Sequence, residues 1–197
     1  MLLRRTRSGL RLVRQCDHAL VAGRLAAEWI GPGPEPEPFP FRFVLAVALH
    51  DLPWATADRE PRWNAAAREP FAFDTVDDDY REPLYRNGLD ALETVDDYAA
   101  LLASRHFGRF LPDRTGFSRG EIARRERIAA RLSPPVDERA LERHRAWLGF
   151  FDFLSLFCLL TGPDAVAAAG WLDPRSVGTL PEGDPVTLEW VTPGTLR

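Results

Sequence analysis

The chain contains no lysine; all 25 of its basic residues are arginine. A Walker-type phosphate loop requires its lysine, and a side-chain Schiff base requires an ε-amine. Neither device is available, which removes that route to nucleotide hydrolysis and ordinary pyridoxal chemistry. Cysteine is scarce as well. Cys16 and Cys158 are the only two and form no CxxC pair, which argues against both a thiolate zinc site and a disulfide framework. A basic excess is also missing. The formal charge is −4, so there is no electrostatic case for a nucleic-acid partner. Residues 1–14 are arginine-rich but lack the continuous apolar core of a signal peptide. The apolar run around 154–160 is well short of a membrane span. These absences together point to a reduced, cytoplasmic protein with no membrane partner.

What is present suits one domain. The 197 residues, 45% of them hydrophobic, can bury a sizeable core. Residues 1–15 alternate loosely around Ser8-Gly9 and read as a short hairpin. Asp17 is placed to cap a helix running to about residue 30. GPGPEPEPFP at 31–40 alternates proline and reads as a stiff loop. Residues 41–50 form a buried helix or, by length alone, a strand. Residues 52–81 look irregular, with Asp77–Asp79 as a solvated acidic loop. Pro83 is suited to open a helix over 82–92, and apolar spacing gives another over 95–106. Ser118 to Glu121 has the capping-box pattern and precedes a charged helix whose Arg124, Arg125, Arg127 and Arg131 read as its wet face. Asp137 caps a long helix over 138–161. Its second half, WLGFFDFLSLFCLL, is apolar on every side, so this helix belongs at the centre. Strand-like pieces from residue 177 onward, notably 186–191, are expected to pair with the N-terminal hairpin.

Two groups in this pattern are expensive to bury. His50 and Asp51 close the apolar run 41–49. Asp152 sits in FFDFLSLF, where the nearest charges along the chain are Arg145 and Asp164 and the one polar neighbour a turn away is Ser155. A buried carboxylate needs a cation, a metal or several hydrogen bonds. His18, in QCDHALVAG, and His106, in LLASRHFG, also lie on or beside predicted helices. Mixed His/Asp sets of this kind suit hard or borderline divalent metals, and facing helices can converge them inside a bundle. For His50–Asp51 alone, a helix end bonded to backbone is the simpler account; an arginine partner would serve Asp152 equally. His144 lies about 80° round the helix from Asp152 and is a weaker second-metal candidate. Gln15 and Tyr98 are candidates to orient ligands, Trp54 and Trp63 to wall a pocket. Both cysteines read as inert.

The order H…HD…D resembles the HD superfamily of metal-dependent phosphohydrolases. That resemblance implies a mainly α, HD-like helical bundle, here with a small β appendage built from residues 1–15 and 177–197. It also implies a divalent metal (Fe, Mn, Zn or Mg) held by His18, His50, Asp51 and Asp152, with His106 as an extra ligand for a second ion. The stretches QCDHALVAGRLAAEW, ALHD with a following Trp, DDYAALLASRH and FFDFLSLFC are similar to the DUF3891 family, whose function is uncharacterised. Here Pro53 replaces that family's usual glycine before the tryptophan, and Ala57-Asp58 follows. The expected activity is hydrolysis of a small phosphorylated molecule. In it the metal lowers the pKa of a bound water, Asp51 or His106 takes the proton, and Arg105 pairs the phosphate, a surface salt bridge being the equal alternative for that arginine. A di-iron oxygenase using His106, and with it His144, is the first alternative. A non-catalytic small-ligand protein with a structural metal is the second. The expected partner is a small-molecule substrate, with a homodimer left open.

Overall fold

A computed structural model describes residues 1–30, 39–111, 116–162, 164–165, 171–172, 178–181 and 183–197. It is mainly helical with small strand pairs towards both ends. The chain opens with the hairpin β1 (Leu2–Thr6) and β2 (Gly9–Val13), in register from Leu2↔Val13 to Thr6↔Gly9. Helix α1 (Gln15–Ala27) follows, then α2 (Phe41–Leu49), a 3-10 turn at Leu52–Trp54 and the short α3 (Ala55–Arg59). The two-residue strands β3 (Trp63–Asn64) and β4 (Glu69–Pro70) pair with each other. Next come α4 (Asp78–Val95), α5 (Asp97–Phe107), α6 (Phe117–Arg131) and α7 (Glu138–Leu160). The chain closes with β5 (Gly178–Thr179), β6 (Pro185–Val186), β7 (Trp190–Thr192) and β8 (Thr195–Leu196).

The core gathers where α7 meets α1, α2 and α5. Phe43, Leu89, Leu101, Leu102, Trp147, Phe151 and Phe157 are almost wholly buried there. The all-apolar half of α7 thus lies inside, as its composition demands. Asp137 caps α7 by accepting from the Arg139 N–H, and Asp96 caps α5 by accepting from Ala99, each satisfying an amide with no partner within the helix.

Several local expectations are corrected. The residue before α1 is Arg14 and makes no side-chain cap; Asp17 lies in the first turn, paired with Arg14. The stretch 52–81 is not all irregular, and Asp77 is a helix cap, not loop: its carboxylate accepts from Tyr80 N. That cap starts α4 before Pro83, which therefore lies inside the helix. The apparent capping box at Ser118 fails because Gly116, at φ +73°, precedes α6. Its Glu121 is buried and bonds Arg124. Arg124 is itself buried, bridging α6 to Asp90 and Glu93 of α4. The arginine face of α6 is therefore split: Arg124 clamps two helices, whereas Arg127 and Arg131 are exposed, as expected of a wet face, while also reaching Glu93. Among the described residues the C-terminal strands pair β5 with β6 and β7 with β8, and not with the N-terminal hairpin. Instead Leu2 of the hairpin packs on Leu156 and Leu160 of α7. The proline-rich loop falls, over residues 31–38, outside the described residues. Among the described residues no helix is long and apolar enough to cross a membrane.

Candidate metal centre

Close helix packing brings distant residues to one point. A Cβ on Gly23 of α1 would lie 2.5 Å from Ala48 Cβ and 2.8 Å from Ala48 Cα. These two helices therefore cross at a separation that only glycine permits at this point, with His18 just over a turn before the crossing and His50 just after it. Asp58 holds the start of α1: its carboxylate accepts from the Gln15 and Cys16 amides at 3.0 and 2.9 Å, supplying from another element the cap that Arg14 lacks. α7 contributes Asp152 and Ser155, and the end of α5 contributes His106.

His18, His50 and Asp152 each present one ligand atom within 4.8 Å of the others. His18 Nε2 is 3.3 Å from Asp152 Oδ1 and 3.1 Å from Asp51 Oδ2. His50 Nε2 is 3.5 Å from the same Asp152 oxygen and 3.8 Å from Asp51 Oδ1. The second oxygen, Asp152 Oδ2, faces His106 Nε2 at 3.4 Å. An ion with ligands at about 2.1 Å sets neighbouring ligand atoms about 3.0–3.5 Å apart, and the separations observed fall in or near that range.

The outer nitrogens decide the tautomers. His50 Nδ1 lies 2.7 Å from the Val47 carbonyl, an acceptor only, so Nδ1 carries the hydrogen. The Ser155 hydroxyl donates to the Asp152 carbonyl at 2.8 Å, which leaves Oγ to accept from His18 Nδ1 at 2.6 Å. Both rings therefore turn Nε2 inward, towards carboxylate oxygens. An unprotonated nitrogen facing carboxylates is repulsive unless a proton or a metal cation lies between them. His50 Nε2 is buried and makes no hydrogen bond. The electrostatics express the same demand. Burial acts to lower the pKa of His18, but its bonds to Asp152 and Asp51 outweigh that and raise it to about 9. His50 is raised in the same way, the Asp51 charge overcoming burial. Burial acts to raise Asp152, but hydrogen bonds with His106, His18 and His50 hold it well below the usual carboxylate range.

The cluster faces a cavity of about 380 Å³, whose lining includes His18, Asp51, His106 and Asp152, a volume in the range of small-molecule sites. Gln15, Arg81 and Asp74 add polar groups, and the rest of the wall is largely aromatic.

The other candidates from the sequence fall on both sides of this boundary. Gln15 and Trp54 line the cavity; Trp63 is 61% exposed and does not. Arg105 is not brought to the site, because Glu138 at 2.7 Å and Glu142 draw its guanidinium outward. Tyr98 and His144 bond each other against Phe43 and Arg42, away from the cluster. Burial pushes the Cys16 thiol up to about 12 and Cys158 to about 11, in keeping with inert thiols. Sequence reasoning missed Arg81, Tyr85 and Asp74. Nothing marks them as a set in the sequence, since they come from the first half of α4 and an irregular segment. Asp58 did carry a signal, as the acidic residue following ALHDLPW.

The family model for DUF3891, described as a protein of unknown function, matches residues 1–193, and the chain belongs to that family. No curated protein and no solved structure matches it.

Proposed function

We propose that this DUF3891 protein is a metal-dependent phosphohydrolase with an HD-like helical bundle, acting on a small phosphorylated molecule. His18, His50, Asp51 and Asp152 hold a divalent cation, and His106, beside Asp152 Oδ2, extends the site towards a second ion. The observation that carries this reading is the pair of Nε2 atoms on His18 and His50. Both are fixed inward by bonds on their Nδ1 side and both face Asp152 Oδ1. A metal cation at that point can take the place of the proton that otherwise lies between these nitrogens and the carboxylates, and the donor set of imidazole and carboxylate suits Mn, Fe, Zn or Mg.

When bound, such an ion supplies an acidified water and polarises a phosphoryl oxygen. The chain's own groups do the rest. Asp51, at the cavity wall beside His18, is placed to accept a proton from a water in the cavity. Val47, Ser155 and the Asp152 carbonyl hold the two imidazoles in the ligating tautomer. The aromatic wall limits bulk water around the reacting group. Arg105, turned to Glu138, takes no part. The oxidative alternative loses one of its candidate ligands, since His144 is held by Tyr98 at a separate place. What keeps a two-ion reading in play is His106 facing the second oxygen of Asp152.

The test is elemental analysis of untagged protein purified without chelators, beside His50→Ala and Asp152→Ala, followed by phosphoester turnover with the ion found. Near-stoichiometric metal, lost in both variants while circular dichroism is retained, together with metal-dependent phosphate release, is the expected result. Wild-type protein that stays metal-free after Mn, Fe and Zn are each offered would overturn it. Strong near-ultraviolet and visible absorption with two irons per chain would favour oxygen chemistry.

A further inference from the structure

The cavity carries more chemical information than its metal cluster. Among the described residues three carboxylates line it, those of Asp51, Asp74 and Asp152, against one guanidinium, Arg81. Asp74 accepts from the Trp171 indole N–H at 2.7 Å. Arg81 pairs only loosely with Asp78, at 3.6 Å, and its Nε is buried with no hydrogen-bond partner. Gln15, 2% exposed and on the cavity wall, likewise has a buried Oε1 with no partner. Buried polar atoms of this kind are costly unless something fills them. Among the described residues the cavity wall thus carries one charged donor, the Arg81 guanidinium, 19% exposed and held only by a carboxylate 3.6 Å away.

Around it stand two aromatic walls. On one side Trp54 packs edge-on against Tyr85, which leans on Phe107 with ring centroids 4.3 Å apart. On the other, Trp171 stands edge-on to Phe73 at 5.8 Å and lies 6.3 Å from Phe153. All six rings line the same cavity. Faces and edges of aromatic rings select flat partners, and about 380 Å³ admits a one- or two-ring molecule but no long chain.

We infer that the ligand of this cavity is a planar ring bearing a single anionic group, with Arg81 as the residue that binds the anion. With three carboxylates nearby, an anion is admitted only where Arg81 and a bound cation together offset them. That the anion is a phosphoryl group rests on the hydrolase reading; the ring and the role of Arg81 do not. Arg81 is thereby the binding residue that the sequence suggested in Arg105.

The experiment is calorimetric titration of the full chain, with and without Mn²⁺, using phenylphosphonate, methylphosphonate and phenol. None of these is turned over by phosphate-ester hydrolysis. Phenylphosphonate is expected to bind at least about tenfold tighter than either of the others, the difference one aromatic contact plus one charged contact supplies. Arg81→Gln is expected to remove at least about tenfold of that affinity and Arg81→Lys less, with metal content and circular dichroism unchanged in both. Equal binding of methyl- and phenylphosphonate, or no binding of either, would overturn the ring. Phenylphosphonate affinity indifferent to Arg81→Gln in a folded, metal-replete variant would overturn the anion site. Tight, Arg81-dependent phenylphosphonate binding by a protein that hydrolyses no phosphoester would sustain this inference and remove the hydrolase reading.

Discussion

Replacing Gly23 by alanine tests the helix crossing on which the whole site depends. Within a helix, Gly→Ala ordinarily stabilises by about 0.5–1 kcal/mol, because glycine loses more backbone entropy on folding. At residue 23 the added methyl would meet Ala48 Cβ at 2.5 Å, Ala48 Cα at 2.8 Å and Ala48 N at 3.0 Å. Two of these three atoms are backbone, so no rotamer change relieves the contact and α1 must move away from α2. Overpacking of this sort costs about 1–3 kcal/mol, which exceeds the propensity gain. The net expectation is a loss of roughly 1–2 kcal/mol, or about 2–8 °C in Tm for a chain of this size. Gly149, in α7, is the internal control. A Cβ there would meet nothing nearer than Arg109 Nη1 at 3.8 Å, so Gly149→Ala is expected to raise Tm by about 1–4 °C. The assay is thermal unfolding of both variants beside wild type, with metal stoichiometry measured on each. Gly23→Ala should also bind metal more weakly, since moving α1 shifts His18 relative to His50 and Asp51. If Gly23→Ala proved as stable as Gly149→Ala, the close crossing would not exist and the convergence of ligands argued from it would fail.

Removing the Ser155 hydroxyl leaves every proposed ligand in place but frees His18 Nδ1. Ser155→Ala is therefore expected to weaken metal binding by about 10–100-fold, read by competition with a chromogenic chelator, and unchanged affinity would refute the tautomer argument. Asp58→Ala strips the partner from two amides at the start of α1 and should cost about 1–3 kcal/mol in urea unfolding; a neutral result would show that water or a neighbour replaces it. The carboxylate of Glu93 is held below its usual range by Arg131, Arg127 and Arg124, against a burial effect that acts to raise it. A depressed pKa contributes stability above the unfolded value of about 4.3 and loses it as pH falls through the folded value. Glu93→Gln should thus be less stable than wild type at pH 7, and the gap should close under acid; a gap that persists at low pH would contradict the assignment. With their pKa values pushed up, Cys16 and Cys158 should react with iodoacetamide at pH 8 far more slowly in the native protein than in urea. Equal rates would show that burial does not protect them.

How much of this was readable in advance depended on the scale of the signal. Long, strongly patterned segments were legible: α7 begins within its Asp137 cap, and the buried helix after Phe41 is there. Asp152 was legible because a lone carboxylate amid Phe and Leu demands a partner, whatever the fold. The convergence of His18, His50, Asp51, His106 and Asp152 followed from helix placement and a resemblance of motif, since spacing alone says nothing of distance across a bundle. Short-range punctuation misled where a competing residue won. Asp77 starts α4 five residues before the position at which Pro83 suggested a first turn, and Gly116 displaces the Ser118 box. Arg105 and Arg81 were indistinguishable as letters. Only the acids of α7, Glu138 and Glu142, decide that one arginine faces outward, and such a pairing between helices leaves no periodic trace.

The burial of the two histidines has a kinetic consequence. His18 is 1% exposed and His50 has no exposed surface, while Asp152, at 16% side-chain exposure, is the most accessible of the cluster. Asp152 lines the aromatic cavity. An ion entering by that cavity reaches the imidazoles through the space the proposed ligand would occupy. On the proposed reading loading is ordered, cation before ligand, and an occupied cavity slows exchange of the ion beneath it. Chelator-driven loss would then fall as ligand concentration rises, even for a ligand that never touches the ion.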